Sequence, residues 1–218
     1  MGYEGSWSGM RKYLEKEMLA DSLKGRIRYG CTTYVGMDGC KIFEVCIDDK
    51  QVKRFSWETV NNYFIEKGYK TIEKPYGAIE YWNEFWSLLD KYPLSERTEY
   101  KDIEFADALA EYRNQDIKSS VESDNPIVRM FAILDRRVGK RTLEKLKGAL
   151  DEQPEWLKQF YILRFEAENL WYYSGSKMRR IAKNPECVSV QDFYLLPLTS
   201  SLLPKISFRI FWEVISKR

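Results

Sequence analysis

The residues best suited by type and spacing to do chemistry are five cations in one short stretch, "NPIVRMFAILDRRVGKRTLEKL" (125–146): Arg129, Arg136, Arg137, Lys140 and Arg141. A guanidinium is a planar fork that grips phosphate or carboxylate through two parallel hydrogen bonds, and clustered cations displace counterions from a nucleic-acid backbone. Arg129 and Arg136 stand seven apart, the spacing of one helical face. Gly139 permits a break after them, and two helices about a tight glycine turn is the layout of helix-turn-helix DNA readers. A plainer account competes. Basic residues gather at helix C-termini because they complement the macrodipole, and Asp135 and Glu144 supply counter-charge nearby. Solvated or intramolecularly paired cations are the expectation, and nucleic acid is the partner not favoured.

A second candidate is the aromatic helix "AIEYWNEFWSLLDKY" (78–92), with Tyr81, Trp82, Phe85 and Trp86. Ile79, Trp82, Trp86 and Leu89 make one apolar stripe; Tyr81, Phe85, Leu88 and Tyr92 make another. A helix this apolar all round is normally buried. An exposed stripe on it is instead a surface for a protein partner, since Trp and Tyr are favoured interface anchors.

Signals for catalysis are sparse. The chain has no histidine, which removes Ser-His-Asp, Cys-His and histidine-ligated metal chemistry. Glu166 and Glu168, like Glu15 and Glu17, lie two apart on expected helices and so point to different sides. "GMDG" (36–39) lacks the spacing of a nucleotide loop and reads as a turn. Four cysteines, Cys31, Cys40, Cys46 and Cys187, form no CxxC pair, so free thiols are expected, with no metal site and no cofactor. The sequence leans away from an enzyme. Acid, base or nucleophile chemistry by Asp, Glu, Lys, Tyr or Cys is what it leaves open.

The elements that hold these residues divide into two regions. In the first, residues 1–70, Ser8 is expected to cap a helix running to about Leu19. Three antiparallel strands follow, with turns at Met37-Asp38-Gly39 and Asp48-Asp49-Lys50. A three-residue first loop pairs Gly36 with Cys40 and aligns Ile27, Tyr29, Cys31, Thr33 and Val35 on one face with Phe43, Val45 and Ile47. A two-residue loop would set Cys31 opposite Cys46 but scatter that face, because a one-residue slip turns every side chain over. A Cys31–Cys46 bridge is therefore not expected. Ser56 then caps "WETVNNYFIEKG", which presents Trp57, Val60, Phe64 and Ile65 and stops at Gly68. Three strands followed by a helix is also the order of small sheet-reading DNA-binding domains of plants. Here the outward face mixes Arg26, Arg28, Thr32 and Tyr34 with Glu44 and Asp48, which opposes phosphate tracking.

The second region, residues 71–218, reads as helical for about a hundred residues by its 3.6-residue periodicity. Pro93 ends the aromatic helix, and Ser95 opens an acidic one from about 96 to 119. Asp124-Asn125-Pro126 is a start signal, after which Ile127, Met130, Phe131, Leu134 and Val138 follow at helical spacing. Leu143, Leu146 and Leu150 carry a short helix; Trp156, Phe160, Leu163, Ala167 and Leu170 carry another opened by Pro154. Residues 205–216 fit a strand or a helix equally. The predicted fold class is thus α+β, mainly helical, with an N-terminal three-stranded antiparallel sheet flanked by helices and a C-terminal helical region sharing one core.

Composition bounds the rest. With 44% hydrophobic and 31% charged residues, the chain is expected to be globular. It has no signal-peptide run and no stretch of membrane-span length, so a cytoplasmic location and no membrane partner are expected. Charge is uneven: residues 71–125 hold 13 acidic and 6 basic side chains, and residues 126–218 hold 10 and 17. Packing of the acidic middle against the basic end explains this without an external ligand.

"EGSWSGMRKYLEKEML" (4–19), "YVGMDGCKIFEV" (34–45) and "SDNPIVRMFAILDRRVGKRTLEKL" (123–146) resemble a family of uncharacterised bacterial proteins, and the likeness spans most of the chain. The resemblance implies a bacterial cytosolic protein and carries over no catalytic or binding residue. A non-enzymatic, protein-binding module of immunity or regulatory type is the leading expectation, with nucleic-acid binding through the basic third as the alternative and an enzyme without histidine third.

Overall fold

The computed structural model describes residues 6–33, 41–68 and 78–170, with the backbone alone for 172–174 and 177–179. Packing divides the chain into one unit of residues 1–181 and another of 182–218, and all the described residues belong to the first. The alternative strand and helix readings of 205–216, and the expected turn at 37–39, lie outside them.

The chain enters through α1 (Trp7–Lys12), capped by Ser6, whose hydroxyl accepts the Gly9 amide at 3.2 Å. The cap is two residues earlier than the expected Ser8, because the hydroxyl must reach the N3 amide. A π-helical turn (Tyr13–Met18) and a short 3-10 turn (Asp21–Leu23) follow. The π turn sends Glu15 to the free edge of the sheet, where its carboxylate accepts the Tyr29 amide at 2.8 Å. A charged side chain occupying an edge donor blocks another strand from pairing there.

The sheet has the expected order: β1 (Ile27–Thr33), β2 (Lys41–Ile47) and β3 (Lys50–Phe55), all antiparallel. Its first register differs from expectation. Pairing Gly36 with Cys40 would set Cys31 opposite Val45, whereas Cys31 pairs with Phe43 and Ile27 with Ile47. The shift is by two residues, which leaves every side chain on its expected face and is therefore invisible to the apolar alternation. What selects it is the strand end: Asp48 donates its amide to the Arg26 carbonyl at 2.8 Å and its carboxylate accepts two Arg26 guanidinium bonds. Cys31 and Cys46 are free thiols, as expected. The second hairpin turns on Asp48 and Asp49, both with positive φ (48° and 66°), the two-residue mirror-image turn that matches strand twist.

Ser56 caps α2 (Trp57–Glu66) through the Thr59 amide at 3.2 Å, and Gly68 (φ 70°) ends it as expected. Val60, Tyr63 and Phe64 are buried, but Ile65 is exposed, so the apolar side of α2 is narrower than its composition suggested. α3 (Ile79–Lys91) packs on α2 in a small separate cluster of Val60, Tyr63, Phe64, Phe85 and Leu89.

The acidic helix starts later than Ser95 and is broken. Leu94–Glu96 make a 3-10 turn, the chain stays extended to Tyr100, and α4 runs from Asp102 to Asn114. Extension is enforced by a parallel bridge from Tyr100 to Phe55 in β3 and by the Ser56 amide, which donates to the Tyr100 carbonyl at 3.0 Å. Asp116 caps a separate α5 (Ile117–Val121) by accepting the Lys118 and Ser119 amides.

Asn125 caps α6 (Pro126–Leu134) through the Ile127 amide at 3.0 Å, with Pro126 in the first helical position as expected. Apart from Arg129, every residue of α6 is buried. This is the central element, packed against α4, α5 and α8. α7 (Lys140–Leu146) and α8 (Glu155–Ala167) complete the helical layer. Phe105 of α4 joins it to the sheet, stacking on Phe43 at 4.6 Å and meeting Phe55 at 4.8 Å and Phe131 at 5.4 Å. The main apolar cluster draws on both sides of the expected 70/71 boundary, from Met10 to Phe165. A short hairpin, β4 (Tyr172–Ser174) and β5 (Lys177–Arg179), follows α8. Helices predominate and the sheet is N-terminal, so the fold is α+β.

Candidate functional site

The basic stretch does not make one surface. α6 ends at Leu134, with Asp135 as its C-cap, so Arg136 leaves the helical face it was expected to share with Arg129. Arg129 turns inward, donating to the Ser123 carbonyl at 2.6 Å and to Gln153 Oε1 at 3.0 Å. Arg137 folds back on Asp135: its amide donates to Oδ1 at 2.7 Å, and Nη2 and Nε donate to Oδ2 at 2.6 and 2.9 Å. Arg136, Lys140 and Arg141 are exposed and have no hydrogen-bonded or ion-pair side-chain partner among the described residues.

The hydrogen-bonding centre of this turn is a residue that the sequence presented only as counter-charge. Asp135 is 1% exposed. Besides Arg137, its Oδ2 accepts the hydroxyl of Tyr112 from α4, and Arg137 Nη2 donates to that hydroxyl at 3.2 Å. Burial first, then the bond to a carboxylate, pushes the Tyr112 phenol far above its ordinary range, while the bond to Asp135 strengthens the hold of Arg137 on its proton. The backbone joins in. Leu19 bridges Asp135, the Arg136 amide donates to the Met18 carbonyl at 2.9 Å, and the Ala20 amide donates to the Leu134 carbonyl at 3.0 Å. Arg164 of α8, 3% exposed, closes the turn by donating to the Val138 carbonyl at 3.1 Å. Burial lowers the Arg164 pKa, and Glu168 opposes that shift. Ser22 donates to Glu168 Oε1 at 2.7 Å and accepts from Arg164 at 3.1 Å. Arg164 Nη1 also pairs with Glu168 Oε1 at 3.0 Å, so Ser22, Glu168 and Arg164 make a three-way tie between elements.

A second buried cation sits on β3. Lys53, 4% exposed, donates to the Thr98 carbonyl at 2.6 Å and pairs with Glu99 at 2.7 Å. Its ammonium lies 5.3 Å from the Tyr100 ring and 5.5 Å from that of Trp156. Burial lowers its pKa, against the pull of Glu99. A lysine in an apolar strand pattern gave no sign of this.

On α3 the four aromatics part company. Tyr81 (6% exposed) and Phe85 (0%) are core, and the Tyr81 hydroxyl donates to Asn61 at 3.2 Å. Trp82 is half-buried, against Trp57 and Phe85. Trp86 is 44% exposed and Ile79 68%. Their spacing puts Ile79, Asn83, Trp86 and Asp90 in one line along the helix, and all four are exposed. The ammonium of Lys101 lies 3.4 Å from the centre of the Trp86 ring.

The model of the SF0329 protein family matches residues 6–165, a span that takes in the sheet, α3 and the Asp135 turn. The chain belongs to the SF0329 protein family. No curated protein and no solved structure matches it.

In this SF0329 family member, no group of three or more His, Cys, Asp or Glu side chains among the described residues could hold a metal ion, and no described helix is long and apolar enough to cross a membrane. A shallow groove of about 580 Å³ lies between Pro93, Leu94, Ser95, Glu111, Ser123 and Asp124. Its polar lining is partly self-satisfied, since Ser123 donates to Glu111 at 3.2 Å. Two outward cations of the sheet region are paired as well, Arg26 with Asp48 and Arg28 with Asp49.

Proposed function

We propose that the chain is a non-enzymatic protein-binding module, of immunity or regulatory type, that meets its partner with the exposed stripe of α3. One observation carries this reading: a tryptophan 44% exposed lies in line with an isoleucine 68% exposed, on a helix whose opposite side is seated by Tyr81, Phe85 and Leu89. Such a helix presents its apolar residues on a fixed support, and large aromatics in that setting are the usual anchors of protein interfaces. The test compares wild type with Trp86→Ala and Ile79→Ser. Captured host-cell proteins are identified by mass spectrometry, and the candidate is then purified and rebound. The expected outcome is a partner lost on either substitution while the melting temperature stays within about 3 °C of wild type. A large drop in melting temperature would show the stripe to be core, and a partner indifferent to both substitutions would overturn the reading.

The exposure of Arg136, Lys140 and Arg141 favours a second reading, nucleic-acid binding. With Arg129 turned inward and the exposed Arg137 engaged by Asp135, three phosphate contacts remain, which give a salt slope of only about −2.7 for duplex DNA. An electrophoretic shift at low salt that disappears by about 0.2 M salt is the most this surface supports. Micromolar binding that persists at that salt would place nucleic acid ahead of protein.

A further inference from the structure

We infer that the α3 stripe takes a cationic partner, an amphipathic helical segment carrying Lys or Arg beside its apolar side chains. The inference rests on the protein-binding reading above and adds the chemistry of the occupant.

The surface is more acidic than its sequence. Residues 71–125 hold 13 acidic and 6 basic side chains, and two of the six bases, Arg97 and Lys101, are 3% and 6% exposed. Arg97 spends its guanidinium on Glu104, and Lys101 lies against Phe85 and Trp86. The exposed bases of this region among the described residues are Lys91, Arg113 and Lys118, whereas Glu80, Asp90, Glu96, Glu111, Glu122 and Asp124 are all exposed acids. Burying two cations therefore leaves the outside strongly negative.

The stripe shares that character. Glu80 and Asp90 flank Ile79 and Trp86, and Lys91 is the one exposed cation of α3. The two apolar anchors are seven residues apart, about 10 Å along the helix, the separation over which a docked helix offers its own i and i+7 side chains. Lys101 holds one face of the Trp86 ring, its ammonium at 3.4 Å from the ring centre, so the exposed acids Glu80 and Asp90, not the ring, supply the attraction for an incoming cation.

Charge also argues against a second copy as the occupant. Two α3 stripes packed antiparallel would set Ile79 opposite Asp90 and bring the acidic flanks of both copies together. A basic segment meets the same face with opposite charge, which speeds encounter and rejects wrong partners.

The experiment uses the full chain and three synthetic helical peptides of one length: leucine–lysine, leucine–glutamate and leucine–glutamine. Each is labelled and titrated by fluorescence anisotropy. The expected result is binding of the leucine–lysine peptide alone, weakened about 30-fold by Trp86→Ala. Glu80→Gln with Asp90→Asn weakens it about fivefold and flattens its salt dependence. A control pair, Glu122→Gln with Asp124→Asn, leaves the affinity unchanged. The inference is overturned if no peptide binds, if the peptides bind alike, or if the control pair matters as much as Glu80 and Asp90. Binding of the glutamine peptide alone, still dependent on Trp86, would overturn the cationic partner but keep the protein-binding reading. That reading fails separately, when Trp86→Ala unfolds the chain.

Discussion

Replacing Tyr112 with Phe is the most direct probe of the Asp135 turn. The substitution removes one hydroxyl and no packing volume of note. The lost bond runs to a buried carboxylate, and a hydrogen bond to a charged group is worth about 1.5–3 kcal/mol. Asp135 keeps the amide of Arg137 at 2.7 Å and its guanidinium at 2.6 and 2.9 Å, so it is not orphaned and the lower end applies, about 1.5–2 kcal/mol. Asp135→Asn removes the charge itself. Arg137 is 48% exposed and can hydrate, so this substitution costs about 2–3 kcal/mol, less than the 3–5 kcal/mol of a fully buried pair. Because both substitutions cut the same bond, the double variant should lose about 1 kcal/mol less than the sum. Urea unfolding followed by circular dichroism measures each value, with an unchanged slope showing that the folded surface is intact. The reasoning is refuted if Tyr112→Phe shifts stability by less than about 0.5 kcal/mol, or if the two substitutions are additive.

Three further outcomes are expected. Burial pushes the phenols of Tyr29, Tyr100 and Tyr112 far above their ordinary value and that of Tyr161 up to about 12. Groups with a raised folded pKa give stability that is complete below about pH 10 and is lost as pH rises beyond it. These four of the fifteen tyrosines should therefore ionise with unfolding; phenolate absorbance reaching its full value while the helical dichroism persists would count against this. Lys53 and Arg164 act in the opposite sense, their folded pKa values being lowered, but they are two groups against four. Lys53→Met should stay within about 1 kcal/mol of wild type, because Thr98 and Glu99 can hydrate, while Lys53→Ala should lose about 2–4 kcal/mol by opening a cavity among Phe55, Tyr100 and Trp156. Thermal melts decide, and a Met variant less stable than the Ala one would sink the argument. Asp49→Gly should raise stability by roughly 0.5–1 kcal/mol by relieving a positive φ. The Arg28–Asp49 pair it removes is 59% and 78% exposed and contributes little; a lower unfolding midpoint would show otherwise.

What the sequence made legible was local. Ser56, Gly68, Asn125 and Pro126 act where their own chemistry acts, within a turn of the helix they start or stop. The apolar spacing of α6 and α8 reports a buried side whatever surrounds it. The misses share a cause: each depends on a partner far along the chain. Residues 97–100 contain nothing that forbids helix; contacts from β3 hold them extended, the Phe55–Tyr100 bridge and the bond from Lys53 to the Thr98 carbonyl. The end of α6 at Leu134 is set by Leu19, Met18 and Tyr112, so the face shared by Arg129 and Arg136 exists in the helical wheel but not in the fold. Which residues of α3 would be covered was equally closed to inspection, since the buried set, Tyr81, Phe85 and Leu89, draws on both stripes. The short two-stranded hairpin at Tyr172–Arg179 leaves no trace in the apolar periodicity; its sign in the sequence is the Gly175-Ser176 pair.

The stitching of residues 18–20 to 134–136 has a consequence for synthesis. Residues 18–20 leave the ribosome well before their main-chain partners, which are coded more than a hundred residues later. At about 5–20 residues per second, Leu14, Met18 and Leu19 wait some seconds, on the order of 10, before α6 can cover them. During that interval the nascent chain shows an uncovered apolar helix, so truncation before Asp135 should yield a fragment that chaperones retain. Residues 14–19 thus settle only once a segment made long after them has arrived.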